Sequence, residues 1–434
     1  IGRKPTRRKR QAIGCDGGSD PRVGIPLTMA ALLSDLKIVE ATAFIAAPYA
    51  GLTLAQMGAD VIRIDPIGGG LDYNRWPLTE NGRSLYWAGL NKGKRSVTLN
   101  VRDPEGQEIA HALMTRSDPG AGIVLSNLPA RGWLDFETLK VKRNDLIMVS
   151  LSGNRDGSVA LDYTVNAAAG FPSITGPIDH NQPVNSVLPA WDLIAGLQAV
   201  NGLMAAERHR RDTGDGQFVK LALSDAPFHV LSALGFIGEV QINNAERPKT
   251  GNHVYGTFSH DFETKDNRRV VVTAFTPRHW SVLVEAGGIA KEVALLEAAN
   301  GWDLKDEADR WAGRDEIVAL IKPWVNLRTL QDIRETFDEA GVCWGPYQSF
   351  SQVVEEDPRV SDNNPMFENV LNPGIGKVLT AGSPIDFSGA ERTSPGGAPI
   401  LGEHTEQVLA EELGLLDPQI GALIEKGIAG VPAT

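Results

Sequence analysis

Short apolar segments alternate with amphipathic helical segments between residues 36 and 153, and this alternation constrains the fold more than any other feature. The predicted strands are residues 36–44, 60–65, 96–101, 122–128 and 145–153, and the predicted helices between them are residues 50–59, 104–116 and 136–143. Apolar strands separated by such helices form parallel sheets that are covered on both faces. The sequence therefore predicts an α/β fold class with a Rossmann-like parallel-sheet large domain.

The composition changes after about residue 226, which suggests a second, smaller domain of α+β type with a strand at residues 269–275. Residues 357–402 contain 13 Gly or Pro and predict an extended, loop-rich tail. The predicted organisation is a disordered basic arm (1–28), a large α/β domain (29–225), a linker (226–250), a small α+β domain (251–340), and a linker with a C-terminal segment that returns to the large domain (341–434).

The charge and the cysteine content exclude several function classes. The formal charge is −12, and residues 1–28 hold seven Lys or Arg against two acids, which leaves about −17 for the rest. A net-acidic chain is not expected to bind nucleic acid, although the basic arm could be either a nucleic-acid contact or merely an extended start. Two cysteines cannot form a disulfide framework, and eight scattered His residues show no metal-binding spacing, so no metal is predicted.

Membrane insertion, secretion and a nicotinamide cofactor are not expected either. Pro48, Gly51 and Gln56 interrupt the most apolar stretch (41–59), and the N-terminus lacks an apolar signal region, so a cytoplasmic protein with no membrane partner is predicted. The link after the first predicted strand lacks the G-x-G-x-x-G pattern that dinucleotide binding needs. NAD dependence is therefore not expected, even though Asp65 ends the second strand.

Basic residues near the ends of the predicted strands are candidates for binding phosphates. They are Lys92, Lys94, Arg95, Arg102 and Arg131. Ligands of parallel α/β sheets bind outside the carboxyl ends of the strands, so these bases could bind an anionic ligand or form a solvated face.

Two carboxylates have the character of functional residues. Asp192 lies in the first turn of a long predicted helix (190–211), where the helix dipole favours an ionised carboxylate. Its alternative interpretation is a helix cap. Asp162 follows the fifth predicted strand, and a structural role in a loop is the prediction for it.

Several motifs in a fixed order resemble those of the family III CoA-transferases, which include formyl-CoA transferase, carnitine CoA-transferases and α-methylacyl-CoA racemase. The motifs are GADVIRIDP, NKGKRSVTLNV, DLIMVSLSG, AAERHRRDTGDGQ and APILGEHTEQVL, and the resemblance extends from Leu36 to the C-terminus. Longer stretches, among them DPIGGGLDYNRWP, SLYWAGLNKGKRSV and VLPAWD, resemble members that move CoA between the two carboxyl groups of one branched C5 unsaturated diacid.

The resemblance implies a catalytic role for one residue, Asp192, which matches the nucleophilic aspartate of the family. It implies that Asp192 attacks the acyl-CoA thioester through a mixed anhydride and then carries CoA as an aspartyl thioester. The acyl-CoA is the substrate, so the resemblance implies no cofactor beyond the CoA moiety. The CoA contacts of the family fall on Ile45, Ala46, Leu99, Arg102, Asn127 and Arg131.

The resemblance also bears on the rival functions. Leu161 stands where the racemase branch has a His that transfers protons, which favours transfer over racemisation. Intermolecular CoA transfer between two carboxylic acids would use the same Asp192 and stays an alternative, as does a non-catalytic CoA-binding protein. The family further implies an interlocked homodimer.

Overall fold

A computed structural model describes residues 31–432 of the chain. The strands are β1 Lys37–Ala41, β2 Asp60–Asp65, β3 Arg95–Leu99, β4 Ile123–Ser126, β5 Ile147–Ser152, β6 Phe218–Ala222, β7 Phe258–Glu263, β8 Arg269–Ala274, β9 Trp344–Tyr347, β10 Phe367–Asn372, β11 Gly376–Ala381 and β12 Ala429–Gly430. The helices are α1 Ala46–Gln56, α2 Leu85–Asn91, α3 Pro104–Met114, α4 Phe136–Lys142, α5 Asp162–Ala168, α6 Phe171–Ile174, α7 Ala190–Thr213, α8 Asp225–Ala233, α9 Phe236–Asn243, α10 Pro277–Gly287, α11 Ala290–Asn300, α12 Glu307–Ala312, α13 Arg314–Asn326, α14 Leu330–Ala340, α15 Phe350–Glu356, α16 Thr405–Leu413 and α17 Asp417–Glu425.

The large sheet has seven strands in the order β12-β3-β2-β1-β4-β5-β6. Strands β1 to β6 are parallel, and β12 joins the edge antiparallel to β3. The strand order reverses between β1 and β4, and ligands of open α/β sheets bind at the carboxyl ends of strands at such a reversal. The predicted α/β fold with a parallel-sheet domain is confirmed.

Both faces of this sheet are buried, because successive side chains of a strand point to opposite faces. Ile38 packs into one apolar cluster with α1 and α7. Val39 packs into the other cluster, which includes side chains of α3, α4, α16 and α17. The C-terminal segment thus returns to the sheet through α16, α17 and β12.

The largest difference between the predicted and the observed helix bounds is at the start of α1. Helix α1 starts at Ala46, four residues before the predicted start, because Pro48 lies in its first turn, where its missing N–H breaks no helical hydrogen bond. Helix α7 continues two residues past the predicted end, to Thr213, and stops at Gly214 in the left-handed conformation.

A third apolar cluster lies around the antiparallel sheet β7-β8-β9. Helices α10 to α14 cover it, with Phe258, Ile317 and Phe337 in its interior. Strand β9 lies beyond residue 340, and the domain boundaries stay a prediction. The hairpin β10–β11 was not predicted. The predicted disordered arm (1–28) lies outside the described residues.

Among the helices of residues 31–432, none combines the length and the apolar composition that a membrane crossing requires.

Candidate active site

Helix α7 carries Asp192 in its first turn and packs closely against α1. A Cβ atom added to Gly196 would lie 2.6 Å from the carbonyl oxygen of Ala46, so only glycine permits this approach. The contact brings the start of α7 next to the start of α1 and the loop after β1. Asp192 is half-buried there.

Asp162 supplies the hydrogen bonds that the start of α7 lacks. The residue before α7, Pro189, has no side chain that could cap the helix. Instead, one carboxylate oxygen of Asp162 accepts the backbone N–H of Trp191 at 2.7 Å and that of Asp192 at 3.0 Å. Buried helix N–H groups need such acceptors, so Asp162 fixes the backbone of the residue predicted to be the nucleophile.

The loop prediction for Asp162 was wrong, because Asp162 is the first residue of α5 and is buried. A second residue of α5 joins it: the Oδ1 atom of Asn166 accepts the indole N–H of Trp191 at 3.0 Å. Helix α5 therefore holds the start of α7 through a backbone and a side-chain contact.

The pKa of the Asp192 carboxyl is raised to about 7. Burial is the larger cause because it disfavours the charged form, and the nearby Asp162 carboxylate adds repulsion. These effects outweigh the stabilisation that we expected from the helix dipole. Within residues 31–432, no Lys or Arg forms an ion pair with Asp192. A carboxylate that is neither well solvated nor paired is a better nucleophile than an ordinary surface aspartate.

The loop after β1 is held in a strained conformation beside this helix. Phe44 has a φ of +65°, which is uncommon for a residue with a bulky side chain. Its N–H donates to Asp72 Oδ2 at 3.0 Å. Asn127, just after β4, accepts the N–H of Ala43 at 2.8 Å and donates to the carbonyl oxygen of Ala43 at 2.6 Å.

Asp72 belongs to a buried charge network under this loop. The guanidinium of Arg63 donates to Asp65 at 2.8 and 3.0 Å, to Glu40 at 3.3 Å and to Asp72 at 3.4 Å. Burial raises the pKa of Asp72, and Arg63 opposes that shift. The ammonium group of Lys94 completes the network at 2.9 Å from Glu40. The network links β1, β2 and the start of β3 to the strained loop.

Two of the basic candidates for phosphate binding are used inside the protein instead. Lys94 is buried at the amino end of β3, and its pairing with Glu40 leaves it no surface for a ligand. Arg95 pairs with Asp60 and Glu412, so it joins β3 to β2 and α16. Lys92 is half-buried with a pKa lowered by burial, and it donates to the carbonyl oxygen of Ala381 at 3.4 Å.

The structure distributes the predicted CoA contacts over three places. Ile45 and Ala46 follow the strained Phe44 directly, next to Asn127 across the reversal of the strand order. Leu99 is 0% exposed within the core, so only its backbone could meet a ligand. Arg102 is exposed just beyond β3.

An open cleft of about 1350 Å³ lies along the carboxyl ends of β4, β5 and β6 and one face of α7. Asn127 and Arg131 line it together with Arg155, Lys220 and Ile194. Asp192 is not among its lining residues but lies two residues before Ile194. The cleft thus unites two of the predicted CoA contacts with two further bases close to the start of α7.

Three residues around the start of α7 and the strained loop were missed or given a minor role by the sequence. Asp162 had been assigned to a loop. Arg75 and Tyr86 belong to two stretches that carried the resemblance, but charge and spacing gave neither residue a role. Their presence in those two stretches was the only available signal.

His, Cys, Asp and Glu side chains form no group of three or more that could hold a metal ion in the part of the chain that the structure describes. The predicted absence of a metal stays a prediction.

Comparison with known proteins identifies related sequences over nearly the whole chain. Residues 33–405 match the model of "CoA-transferase family III". The chain is 49% identical over 405 residues to 2-methylfumaryl-CoA isomerase of Chloroflexus aurantiacus, with coverage of 93% of this chain and 99% of that protein. It is 31% identical over 404 residues to succinyl-CoA:mesaconate CoA-transferase of Haloarcula marismortui, covering 87% of this chain and 96% of that one.

A solved structure has the same fold. The crystal structure of a CaiB/BaiF family protein from Brucella suis superposes with a TM-score of 0.72 at 25% identity, and the match covers 88% of this chain and 99% of the Brucella chain.

Proposed function

The chain belongs to CoA-transferase family III, and from this premise we propose that it isomerises 2-methylfumaryl-CoA by moving CoA from the C1 to the C4 carboxyl of the same diacid. Membership confirms the resemblance found in the sequence. The product is 3-methylfumaryl-CoA, and no redox step or net proton transfer is required. The substrate assignment rests on the 49% identical Chloroflexus relative.

The observation that carries a covalent route is the environment of Asp192. Its carboxyl is half-buried, its pKa is raised to about 7, and its backbone is fixed by Asp162. An ionised oxygen of Asp192 attacks the C1 thioester carbonyl, the C–S bond breaks, and CoA leaves as a thiolate. The thiolate attacks the aspartyl carbonyl of the resulting anhydride. This gives an aspartyl-CoA thioester and the free diacid with two carboxylates.

The second half repeats these steps at the other end of the diacid. The C4 carboxylate attacks the aspartyl thioester and releases the thiolate, and the thiolate attacks the C4 carbonyl of the new anhydride. Asp192 is regenerated as a carboxylate. Because each step exchanges one acyl carrier for another, the protein contributes chiefly by holding the reactants close together and excluding water.

Intermolecular CoA transfer between two acids is the second candidate, favoured by the similarity to the succinyl-CoA:mesaconate CoA-transferase of Haloarcula. Both candidates use Asp192, so they differ only in whether the diacid leaves. Incubation of unlabelled 2-methylfumaryl-CoA with isotopically labelled free 2-methylfumarate distinguishes them. We expect an unlabelled C4 thioester. Label in the product at the rate of turnover would overturn the intramolecular assignment.

For the CoA moiety, we propose contacts with Ile45 and Ala46 after β1, with the backbone at Leu99 and the side chain of Arg102 after β3, and with Asn127 and Arg131 after β4. The positions of Asn127 and Arg131 in the cleft support this assignment, as do the bases Arg155 and Lys220 nearby. Guanidinium and ammonium groups suit the phosphates of CoA.

A homodimer and a cytoplasmic location complete the proposal. The segment of α8 and α9 supports a partner surface, because apolar side chains such as Leu234 between the two helices (62% exposed) and Ile242 in α9 (83% exposed) face solvent in the single chain. Sedimentation velocity tests the assembly, and we expect a dimer. A monomer at micromolar concentration would contradict it.

A further inference from the structure

Arg75 is exposed, and its guanidinium lies against two aromatic rings close to the strained loop. Its guanidinium lies 5.8 Å from the ring centroid of Phe44 and 5.2 Å from that of Tyr86. Within residues 31–432, no carboxylate pairs with it. Arg63, by contrast, is buried with its donors directed at Glu40, Asp65 and Asp72.

The backbone of Arg75 is fixed from both sides. Its N–H donates to the carbonyl oxygen of Asp72 at 3.1 Å, and its own carbonyl oxygen accepts the Ser84 hydroxyl. The same hydroxyl oxygen caps α2 by accepting the Trp87 N–H at 3.0 Å, and α2 carries Tyr86. The serine therefore holds the backbone of Arg75 and the start of the helix that carries Tyr86 in a fixed relation. Stacking on aromatic rings restricts an arginine side chain and leaves its donors at the edge of the plane free for a planar anion.

Arg75 and the nucleophile Asp192 also have neighbours in common. Phe44, under one side of the guanidinium, precedes Ile45 and Ala46, and Ala46 contacts α7. Tyr86 is close enough to both charged groups that Asp192 raises and Arg75 lowers the pKa of its hydroxyl, which burial brings to about 12. The hydroxyl of Tyr86 is thus near both groups, and its ring lies against the guanidinium.

We propose that Arg75 binds the carboxylate of the substrate that is not in thioester linkage, so that the site selects the CoA esters of short dicarboxylic acids. The inference rests on the proposed function, which places the attacked thioester at Asp192. In a four-carbon diacid chain the free carboxylate is several ångströms from the attacked carbonyl. Arg75 lies against Tyr86 and forms no ion pair with Asp192, which fits that requirement, whereas a cation paired with Asp192 would hold the nucleophile itself.

The same contact explains how the diacid could be retained between the two halves of the reaction. After CoA has moved to Asp192, the diacid carries two carboxylates and must turn end for end. Its C1 carboxylate then occupies the place that C4 held, since the two ends differ only by the position of a methyl group. One arginine therefore serves both halves and keeps the diacid from escaping.

The test compares substrates with and without the second carboxylate in the Arg75→Gln variant. The matched control is Arg314→Gln, which removes an arginine at the start of α13 whose guanidinium lies 4.3 Å from the ring centroid of Trp311. The readouts are kcat/KM for 2-methylfumaryl-CoA and the rate at which crotonyl-CoA, a monocarboxylic thioester, places CoA on Asp192.

We expect Arg75→Gln to lower kcat/KM for the diacid ester by roughly 10- to 100-fold, which is the usual effect of losing one charge-assisted hydrogen bond. The rate with crotonyl-CoA should stay within about twofold of wild type, and the control should change neither. Circular dichroism of Arg75→Gln checks its folding. Arg75→Lys should recover part of the lost kcat/KM because it keeps the positive charge.

An equal loss with both substrates, or no loss with either, would overturn the role of Arg75 while leaving the proposed function intact. If wild-type protein forms no adduct on Asp192 from 2-methylfumaryl-CoA, the proposed function fails, and the inference fails with it. Released diacid offers a further check, since Arg75→Gln should exchange more labelled 2-methylfumarate into product than wild type does.

Discussion

The carboxylate of Asp162 accepts the backbone N–H of Asp192 at 3.0 Å, although 30 residues separate them. The same oxygen accepts the N–H of Trp191 at 2.7 Å. One buried carboxylate thus serves as the cap of α7 and as a negative charge close to the nucleophile. The first effect fixes the geometry of Asp192, and the second raises the pKa of its carboxyl.

Two substitutions at Asp162 separate these effects. Asp162→Asn keeps an oxygen acceptor but removes the charge, so we expect a lower pKa for Asp192 and an acid limb of kcat/KM that moves to lower pH. Asp162→Ala also removes the acceptor and leaves two N–H groups without a partner, which should cost about 1–3 kcal/mol of the free energy of unfolding. Denaturant titrations and pH–rate profiles measure the two results. Identical behaviour of the variants would contradict this division of roles.

The raised pKa of Asp192 predicts the pH dependence of catalysis. Only the ionised carboxylate attacks, so kcat/KM should fall about tenfold per pH unit below the pKa of about 7 and level off above it. A flat profile between pH 5 and pH 8 would contradict a nucleophile with this pKa.

The same pKa predicts a destabilising role for Asp192 at alkaline pH. The folded protein holds a proton on Asp192 up to about pH 7, whereas the unfolded chain releases it near the ordinary value of 3.8. The folded state therefore binds more protons in this window, and stability from this group falls as the pH rises through it. We expect Asp192→Asn to raise the free energy of unfolding by about 1–3 kcal/mol at pH 8, and by less near pH 5. A variant less stable than wild type at pH 8 would oppose this account.

The stability that the buried charge network under the loop after β1 provides should depend strongly on Arg63, its one arginine. Arg63→Met leaves Glu40, Asp65 and Asp72 with only Lys94 as a counter-charge, and we expect a loss of about 3–5 kcal/mol in the free energy of unfolding. Arg95→Met, which removes a partly exposed pair with Asp60 and Glu412, is the matched control and should cost less. Urea denaturation compares them, and equal losses would speak against a buried network of this kind.

Asn127 should matter for binding more than for chemistry. Its side chain holds Ala43 from both sides, so Asn127→Ala frees the loop that positions Phe44, Ile45 and Ala46. We expect a KM for acyl-CoA raised by about 3- to 30-fold, since each lost hydrogen bond is worth about 1 kcal/mol, with a smaller change in kcat. Asn127→Asp keeps the acceptor but loses the donor, so its KM should lie between those of wild type and Asn127→Ala. Steady-state kinetics decides, and a loss confined to kcat would contradict the role.

The parallel sheet was predictable because its strands are short apolar runs with polar ends. Strand β2 begins and ends at the predicted residues. Asp60 and Asp65 stand at its two ends, and the residues between them are apolar except for Arg63. The start of α1 was not predictable in the same way, because Pro48 disrupts a helix in its interior but fits its first turn.

The site was only partly predictable, because charge alone does not reveal a partner far away in the sequence. Arg95 resembled a phosphate ligand until its pairing with Glu412, 317 residues away, was known. Lys94 had the same appearance, yet it is buried against Glu40. Asp192 could be found through the family motif, whereas the capping role of Asp162 depends on two helices meeting in space and leaves no local pattern.

The central claim is that Asp192 carries CoA during turnover. Wild-type protein mixed with 2-methylfumaryl-CoA, quenched within one turnover and digested for mass spectrometry tests it most directly. The account predicts a CoA adduct on the peptide that contains Asp192, formed and lost at rates that match turnover, and no adduct in Asp192→Asn. Full turnover without any adduct on Asp192, or with an adduct on another residue, would contradict it.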